Sequence, residues 1–416
     1  CLSHCETFAH SCISTAARKQ PLQQAPSSRK DMRGSGFVAD PGEAVRGGIV
    51  WMQALFDKIV FHHGDKIAEY RDMWPWLLVA VALSTMLMGL LVVGIYTSPK
   101  PPPRWMIGRG SKDPKAVDHT VVASDGVRLR GVSKGEGPAI VLVHGAGCAS
   151  DIFSFLFKRF SLRGFRVIAF DMRGHGDSDA VSILPAATLA SDLHAILERL
   201  DVRDATLVGY DLGGYAALAL AKHYPSTVAT RVGRLVLLSA FARTPSERHS
   251  WLGRIYTTAF AIGLMHLVLR WRLLGRVVMR PFFGRSLTAT LEEEWRRAVL
   301  HCPPSVWAQG LNAGHENVVE GLEKVVCPVS IICGVNDHFC RSAQKVLCEA
   351  RPDLQVVYLP NIGHVTPWEA PDSIFMIVSD LIYQDHPDAA AAAAHAAALT
   401  RRTNIAARVA GGVAVG

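Results

Sequence analysis

Three residues in this sequence stand where a side chain could do covalent or proton-transfer chemistry: Asp211, Asp337 and His364. Asp211 closes the run Ala205-Thr-Leu-Val-Gly-Tyr-Asp211 and is followed by Leu212-Gly-Gly214 and an alanine- and leucine-rich stretch to His223. An apolar run, an aspartate among glycines and a helical pattern read as strand, sharp turn and helix, with the carboxylate at the tip. Glycines at 209, 213 and 214 let strand and helix approach closely and let the backbone around residue 211 take a strained conformation. The positive end of the helix then favours the ionised carboxylate. On this stretch alone a reactive carboxylate and a helix N-cap are both open readings. Asp337 ends Cys333-Gly-Val-Asn-Asp337 and His364 ends Leu359-Pro-Asn-Ile-Gly-His364, each after an apolar run. The chain thus offers, in order, a nucleophile, an acid and a histidine base.

The elements that must position these residues are legible around them. Val117 to Ala123 and Val127 to Val132 read as a hairpin about Ser124-Asp-Gly126. Strands are predicted at Ala139–Val143, Arg166–Phe170, Ala205–Val208, Leu235–Leu238, Val329–Ile332 and Leu354–Tyr358. Helices are predicted near 150–162, 188–200, 342–350 and 372–382. Apolar strands alternating with helices imply a mostly parallel sheet covered on both faces, with ligand chemistry at the carboxyl ends of the strands. The core is expected to span 116–240 and 321–384, and the insertion 241–320 forms a helical cap.

The 416 residues carry a net charge of +8, spread along the chain without any nucleic-acid-binding signature, so an anionic membrane surface explains the balance better. The nine cysteines form no dense framework and read as reduced, structural thiols. Cys1, Cys5 and Cys12 with His4 and His10 fit no zinc spacing well. Residues 1–72 are expected to be largely disordered, and 385–416, with its alanine run, to be a low-complexity tail. Between Met73 and the Pro-rich linker 98–115 there is no charge, and Trp74, Trp76 and Tyr96 flank an apolar block long enough to cross a bilayer. One transmembrane helix over 73–97 is therefore expected, the basic residues after it leaning towards a cytosolic catalytic domain in a single-pass membrane protein.

Five motifs in order carry a resemblance: His144-Gly-Ala-Gly147, Asp171-Met-Arg-Gly-His-Gly-Asp-Ser178, Gly209-Tyr-Asp-Leu-Gly-Gly214, Gly334-Val-Asn-Asp337 and Gly363-His-Val-Thr-Pro-Trp-Glu-Ala-Pro371. The region from about Ala116 to Ile382 resembles the α/β-hydrolase superfamily, whose nucleophile, acid and histidine occur in this chain order. An aspartate at the elbow, where most members have serine or cysteine, resembles the epoxide hydrolase and dehalogenase branch. That resemblance implies Asp211 as nucleophile forming an alkyl-enzyme ester, His364 as base for its hydrolysis and Asp337 as the acid orienting His364. It implies Ala146 and Leu212 backbone N–H groups as the oxyanion hole and a cap tyrosine, here Tyr256, as the acid for the leaving oxygen. His249 and His266 are weaker alternatives to Tyr256. His144 and His175 read first as loop-shaping residues, and Asp171 with Arg173 as a structural pair.

Departures are visible. Dehalogenases typically have tryptophan and asparagine where Leu212 and Ala146 stand, and epoxide hydrolases an aromatic residue and proline where Ala146-Gly147-Cys148 stands. The apolar and basic stretch Trp251–Phe283 suits the lid of an apolar pocket or a membrane-surface helix. Either implies a hydrophobic small-molecule or lipid substrate. No metal or organic cofactor is implied. Ester or carbon–carbon bond hydrolysis, or a binding role on the same fold, are the alternatives.

Overall fold

The computed structural model describes residues 76, 78–86, 89, 115–181, 183–243, 251–285 and 288–388. The chain divides into two compact units, 1–85 and 86–416. Of the expected membrane helix, residues 76, 78–86 and 89 are helical and exposed, and the remainder of 73–97 lies outside the described residues. Ser84 and Thr85 return their hydroxyls to the Val81 carbonyl. Among the described residues no helix is long and apolar enough to cross a membrane, so the spanning helix expected from sequence is not met there. The segments expected to be disordered or low in complexity, 1–72 and the tail from 389, also lie outside the described residues.

In the second unit, β1 (Val117–Val122), β2 (Arg128–Lys134), β3 (Ala139–Val143), α1 (Ser154–Leu162), β4 (Arg166–Phe170) and α2 (Ala186–Arg199) come first. Then follow β5 (Ala205–Tyr210), α3 (Leu212–His223), α4 (Pro225–Arg231) and β6 (Val232–Leu238). Helices α5 (Trp251–Ala261), α6 (Leu264–Arg270), α7 (Arg272–Met279), α8 (Ala289–His301), α9 (Pro304–Asn312) and α10 (Val319–Lys324) fill the insertion. The chain returns to the sheet with β7 (Val329–Gly334), α11 (Arg341–Ala350), β8 (Gln355–Leu359), the turn α12 (Thr366–Glu369) and α13 (Pro371–Asp385).

These strands make one eight-stranded sheet in the order β1-β2-β4-β3-β5-β6-β7-β8. The β1–β2 hairpin joins antiparallel, and every pair from β4 to β8 is parallel. Central strands β3 and β5 are buried at every position, which is why they read as unbroken apolar runs and not as alternating ones. Each fully buried Val or Leu there contributes about 1.5–3 kcal/mol. Helices α2 and α3 pack on one another, as do α1 and α13. Because β4 and β5 flank β3, the strand order reverses at β3, and a crevice opens beyond its carboxyl end.

Candidate active site

At the end of β5 the chain turns through Asp211, whose φ of 47° lies in a region that non-glycine residues rarely occupy. The tightness of the turn comes from its neighbours. A Cβ on Gly213 would fall 2.1 Å from the Val143 carbonyl oxygen, and one on Gly214 would fall 2.3 Å from the Ala240 Cβ. The glycines therefore permit close approach, while the strain is carried by the aspartate itself, a pattern associated with functional positions. The Asp211 N–H donates to Leu238 O at 3.0 Å, tying the turn to β6. The side chain makes no cap hydrogen bond to α3, which disposes of the capping alternative.

The loops after β7 and β8 bring Asp337 and His364 to the same place. His364 Nδ1 lies 3.0 Å from Asp337 Oδ2, and Nε2 lies 3.6 Å from Asp211 Oδ1. The first is a hydrogen bond; the second is beyond one, leaving the imidazole facing the carboxylate. Asp337 Oδ1 accepts from the backbone N–H groups of Phe339 and Cys340, and its Oδ2 also accepts from Gln344 Nε2. Asp211 Oδ2 accepts the Ala146 N–H at 3.0 Å. Leu212, the other expected oxyanion donor, is the fully buried first residue of α3.

Burial alone would depress the His364 imidazole. Tyr210, Asp337 on Nδ1, Cys340 and Asp211 before Nε2 together reverse that, and the pKa stands above the ordinary histidine value. Of these, Tyr210 and Cys340 are held protonated by burial, the Cys340 thiol being pushed up to about 11. The two carboxylates are therefore the anions that act on His364 at neutral pH.

His144 and His175 shape loops, as expected. Met172 N–H donates to His144 Nε2 and Gly147 N–H donates to His175 Nε2. The expected Asp171–Arg173 pair is not formed. Asp171 accepts from the N–H groups of Ser150 and Asp177, while Arg173 turns to Asp192 and Asp125. Each residue is taken up by partners of its own, so proximity in sequence did not make them a pair.

The insertion contributes directly. Phe282 O accepts the His364 N–H, and Glu369 accepts the N–H groups of both Gly284 and Gly363, clasping the lid to the histidine loop. Helix α9 lies on the Ala146 loop, since a Cβ on Gly310 would come within 2.5 Å of the Ala146 Cβ. Trp307 of α9 stacks on Phe260, and its buried indole N–H has no hydrogen-bond partner among the described residues. It lies beside Gly147, where an added Cβ would be 2.1 Å from Nε1. Tyr256 is on α5, but its side chain falls outside the described residues, and so does His249. His266 is engaged with Cys302 O. Sequence reasoning missed Cys340, Gln344 and Trp307. The first two were findable, lying three and seven residues after Asp337 at the start of a helix; Trp307 carried no local signal.

Residues 140–375 match the Alpha/beta hydrolase family, more than half of the chain, and the chain belongs to that family. A 122-residue stretch is 34% identical to bifunctional epoxide hydrolase 2 of Sus scrofa, covering 28% of this chain and 22% of that protein. Over 267 residues the chain is 26% identical to the 2-hydroxy-6-oxononadienedioate/2-hydroxy-6-oxononatrienedioate hydrolase of Comamonas testosteroni, covering 60% of this chain and 88% of that one. The structure is similar to an esterase from Exiguobacterium antarcticum with a TM-score of 0.56 at 20% identity, over 64% of this chain and 99% of the esterase, a likeness of fold alone. Family and relatives together support hydrolase activity without fixing the bond cleaved.

Proposed function

We propose that the protein hydrolyses an electrophilic sp³ carbon substrate, an epoxide first among them, through an ester on Asp211. The observation that carries this reading is the Ala146 N–H held against Asp211 Oδ2 while Oδ1 faces His364. In acyl transfer by a serine, an oxyanion hole receives an oxygen of the substrate. Here it receives an oxygen of the protein's own carboxylate. That arrangement suits a tetrahedral intermediate centred on Asp211 Cγ, as arises when water attacks an ester of Asp211.

In the first step Asp211 Oδ1 attacks the epoxide carbon, the ring C–O bond breaks, and the leaving oxygen takes a proton on the lid side. Tyr256, carried on the same insertion, is the residue proposed to supply it; the Trp307 indole can only hydrogen-bond the developing charge. In the second step His364 Nε2 removes a proton from water, the hydroxide adds to Cγ, and the charge on Oδ2 is met by Ala146 and by the adjoining Leu212 N–H. Collapse expels the diol oxygen, which takes the proton from His364; the second water proton leaves the Asp211 carboxyl and, through solvent, restores the acid on the lid, so Asp211 is regenerated as a carboxylate. Esterification removes the charge of Asp211, one of the two anions that hold His364 protonated. The imidazole is thereby released as a base at the step that needs one.

A hydrophobic substrate and a membrane-anchored protein with its catalytic domain on the cytosolic side complete the proposal. Trp251, Ile255, Ile262 and Val277 are exposed on the lid, as are Arg254 and Arg270, which supports delivery from an anionic bilayer. No resident metal or cofactor enters this scheme.

The test is a single turnover with enzyme in excess over an epoxidised fatty acid in heavy-oxygen water. The proposal predicts a diol whose new oxygen is unlabelled and an Asp211 peptide that gains the label. Label in the first-turnover diol with none in Asp211 would mean direct attack by water and refute it. Turnover of esters or vinylogous diketones with none of epoxides or haloacids would favour the acyl or carbon–carbon chemistry of the relatives.

A further inference from the structure

We infer that Asp211, Cys340 and His364 form a site for a thiophilic divalent ion, zinc or its analogue cobalt, whose binding blocks the active centre. One ligand atom from each of the three buried side chains lies within 4.8 Å of the others. Tetrahedral zinc with ordinary bond lengths places its ligand atoms about 3.3–3.8 Å apart. His364 Nε2 and Asp211 Oδ1 are already 3.6 Å apart, so the cluster needs to contract by no more than about 1 Å.

Two features make this more than a chance cluster. The hydrogen bond from His364 Nδ1–H to Asp337 directs Nε2 towards Asp211, the carboxylate–histidine arrangement that orients imidazole ligands in metal sites. The loop carrying Cys340 is fixed by the same acid, because the Cys340 N–H donates to Asp337 Oδ1 at 3.1 Å. Asp337 thus orients both the nitrogen and the sulfur ligand. The three donors are a carboxylate, an imidazole and a thiol, a mixed set that zinc accepts and that magnesium or calcium does not. On binding, the Cys340 thiol proton and the His364 Nε2 proton both leave to buffer, sulfur bonds the ion as thiolate, and the fourth position is left to water or substrate oxygen. The ion occupies both Asp211 Oδ1 and His364 Nε2, so it removes the nucleophile and the base together. The inference concerns these side chains and does not depend on which electrophile is turned over.

The experiment is a Co²⁺ titration of the full-length chain followed by absorption, with Cys340→Val and Cys340→Ser alongside and thermal melting to confirm that each variant folds. Expected are visible ligand-field bands of tetrahedral intensity and a near-ultraviolet thiolate-to-cobalt band in the wild type, both bleached by Zn²⁺. Both should be lost in the two Cys340 variants and in His364→Gln. A wild-type spectrum reproduced by folded Cys340→Val would assign the ion to other cysteines, such as Cys1, Cys5 and Cys12, and overturn the inference. Absence of any thiolate band in the wild type at saturating Co²⁺ would overturn it as well.

Discussion

Replacing His364 with glutamine separates the two proposed half-reactions, and the structure sets the size of the effect on each. His364 makes one strong side-chain hydrogen bond, to Asp337 at 3.0 Å, which the glutamine amide can reproduce, so the buried acid keeps a donor. What glutamine cannot do is accept a proton from water at Nε2. A positioned general base contributes about 10²- to 10⁴-fold, or about 2.7–5.4 kcal/mol at about 1.36 kcal/mol per tenfold. That loss falls wholly on ester hydrolysis. Alkylation depends on Asp211 Oδ1 and on the Ala146 N–H at Oδ2, which the substitution does not touch, and is expected to change by less than about tenfold. The ester should therefore accumulate to one equivalent. The assay mixes stoichiometric protein with an aryl epoxide or an epoxidised fatty acid, quenches at intervals and follows the Asp211 peptide by mass spectrometry. A burst of adduct followed by slow decay is expected. A variant that melts like the wild type, loses product formation and shows no adduct would place the histidine in the first step and refute Asp211 as a nucleophile.

Asp337→Asn removes one of the two anions that raise the His364 pKa, so the acid limb of turnover should move to lower pH while the plateau rate falls, as a pH–rate profile would show. The same shift carries a stability sign: a histidine with a raised native pKa stabilises most fully below its unfolded value of about 6.5 and loses that contribution as pH rises through the native one. Urea midpoints across that window should flatten in the variant. Arg173→Met should cost about 3–5 kcal/mol in urea unfolding, since it strands Asp192, whose carboxyl burial already pushes up. Adding Asp192→Asn should recover part of that loss.

Most of the framework was legible because its signals are local. The glycines around Asp211, the apolar runs of β3 and β5 and the turn at Ser124-Asp-Gly126 each specify their own conformation, and the observed strands fall within a few residues of those read from the sequence. The loops bearing Asp337 and His364 could be read because each follows an apolar run directly. What escaped notice depends on tertiary contact. Nothing near Trp307 announces that α9 will lie on the Ala146 loop, because that contact is set by how six short helices fold over the sheet. Arg173 was given the wrong partner for the same reason: Asp192 is nineteen residues away but faces it across the packed interior.

An aspartate at this elbow also constrains what the pocket can accept, beyond its own reactivity. With Ala146 N–H engaged by Asp211 Oδ2, the donor that would stabilise a substrate oxyanion is already in use. An acyl substrate attacked here would develop its charge without that donor, and an acyl product would be a mixed anhydride in place of a stable ester. An epoxide develops its charge on the departing oxygen, away from the elbow and towards the lid. The donors for that charge must then come from the insertion, where the buried Trp307 N–H has no partner among the described residues and α5 carries Tyr256. On this reading the core supplies the machinery for opening the ester, and the lid decides which ring or leaving group can form it. Substitutions in α5, which does not carry the residues packed on the Ala146 loop, should therefore alter the selectivity of alkylation while leaving the rate of ester hydrolysis, once the ester has formed, nearly constant.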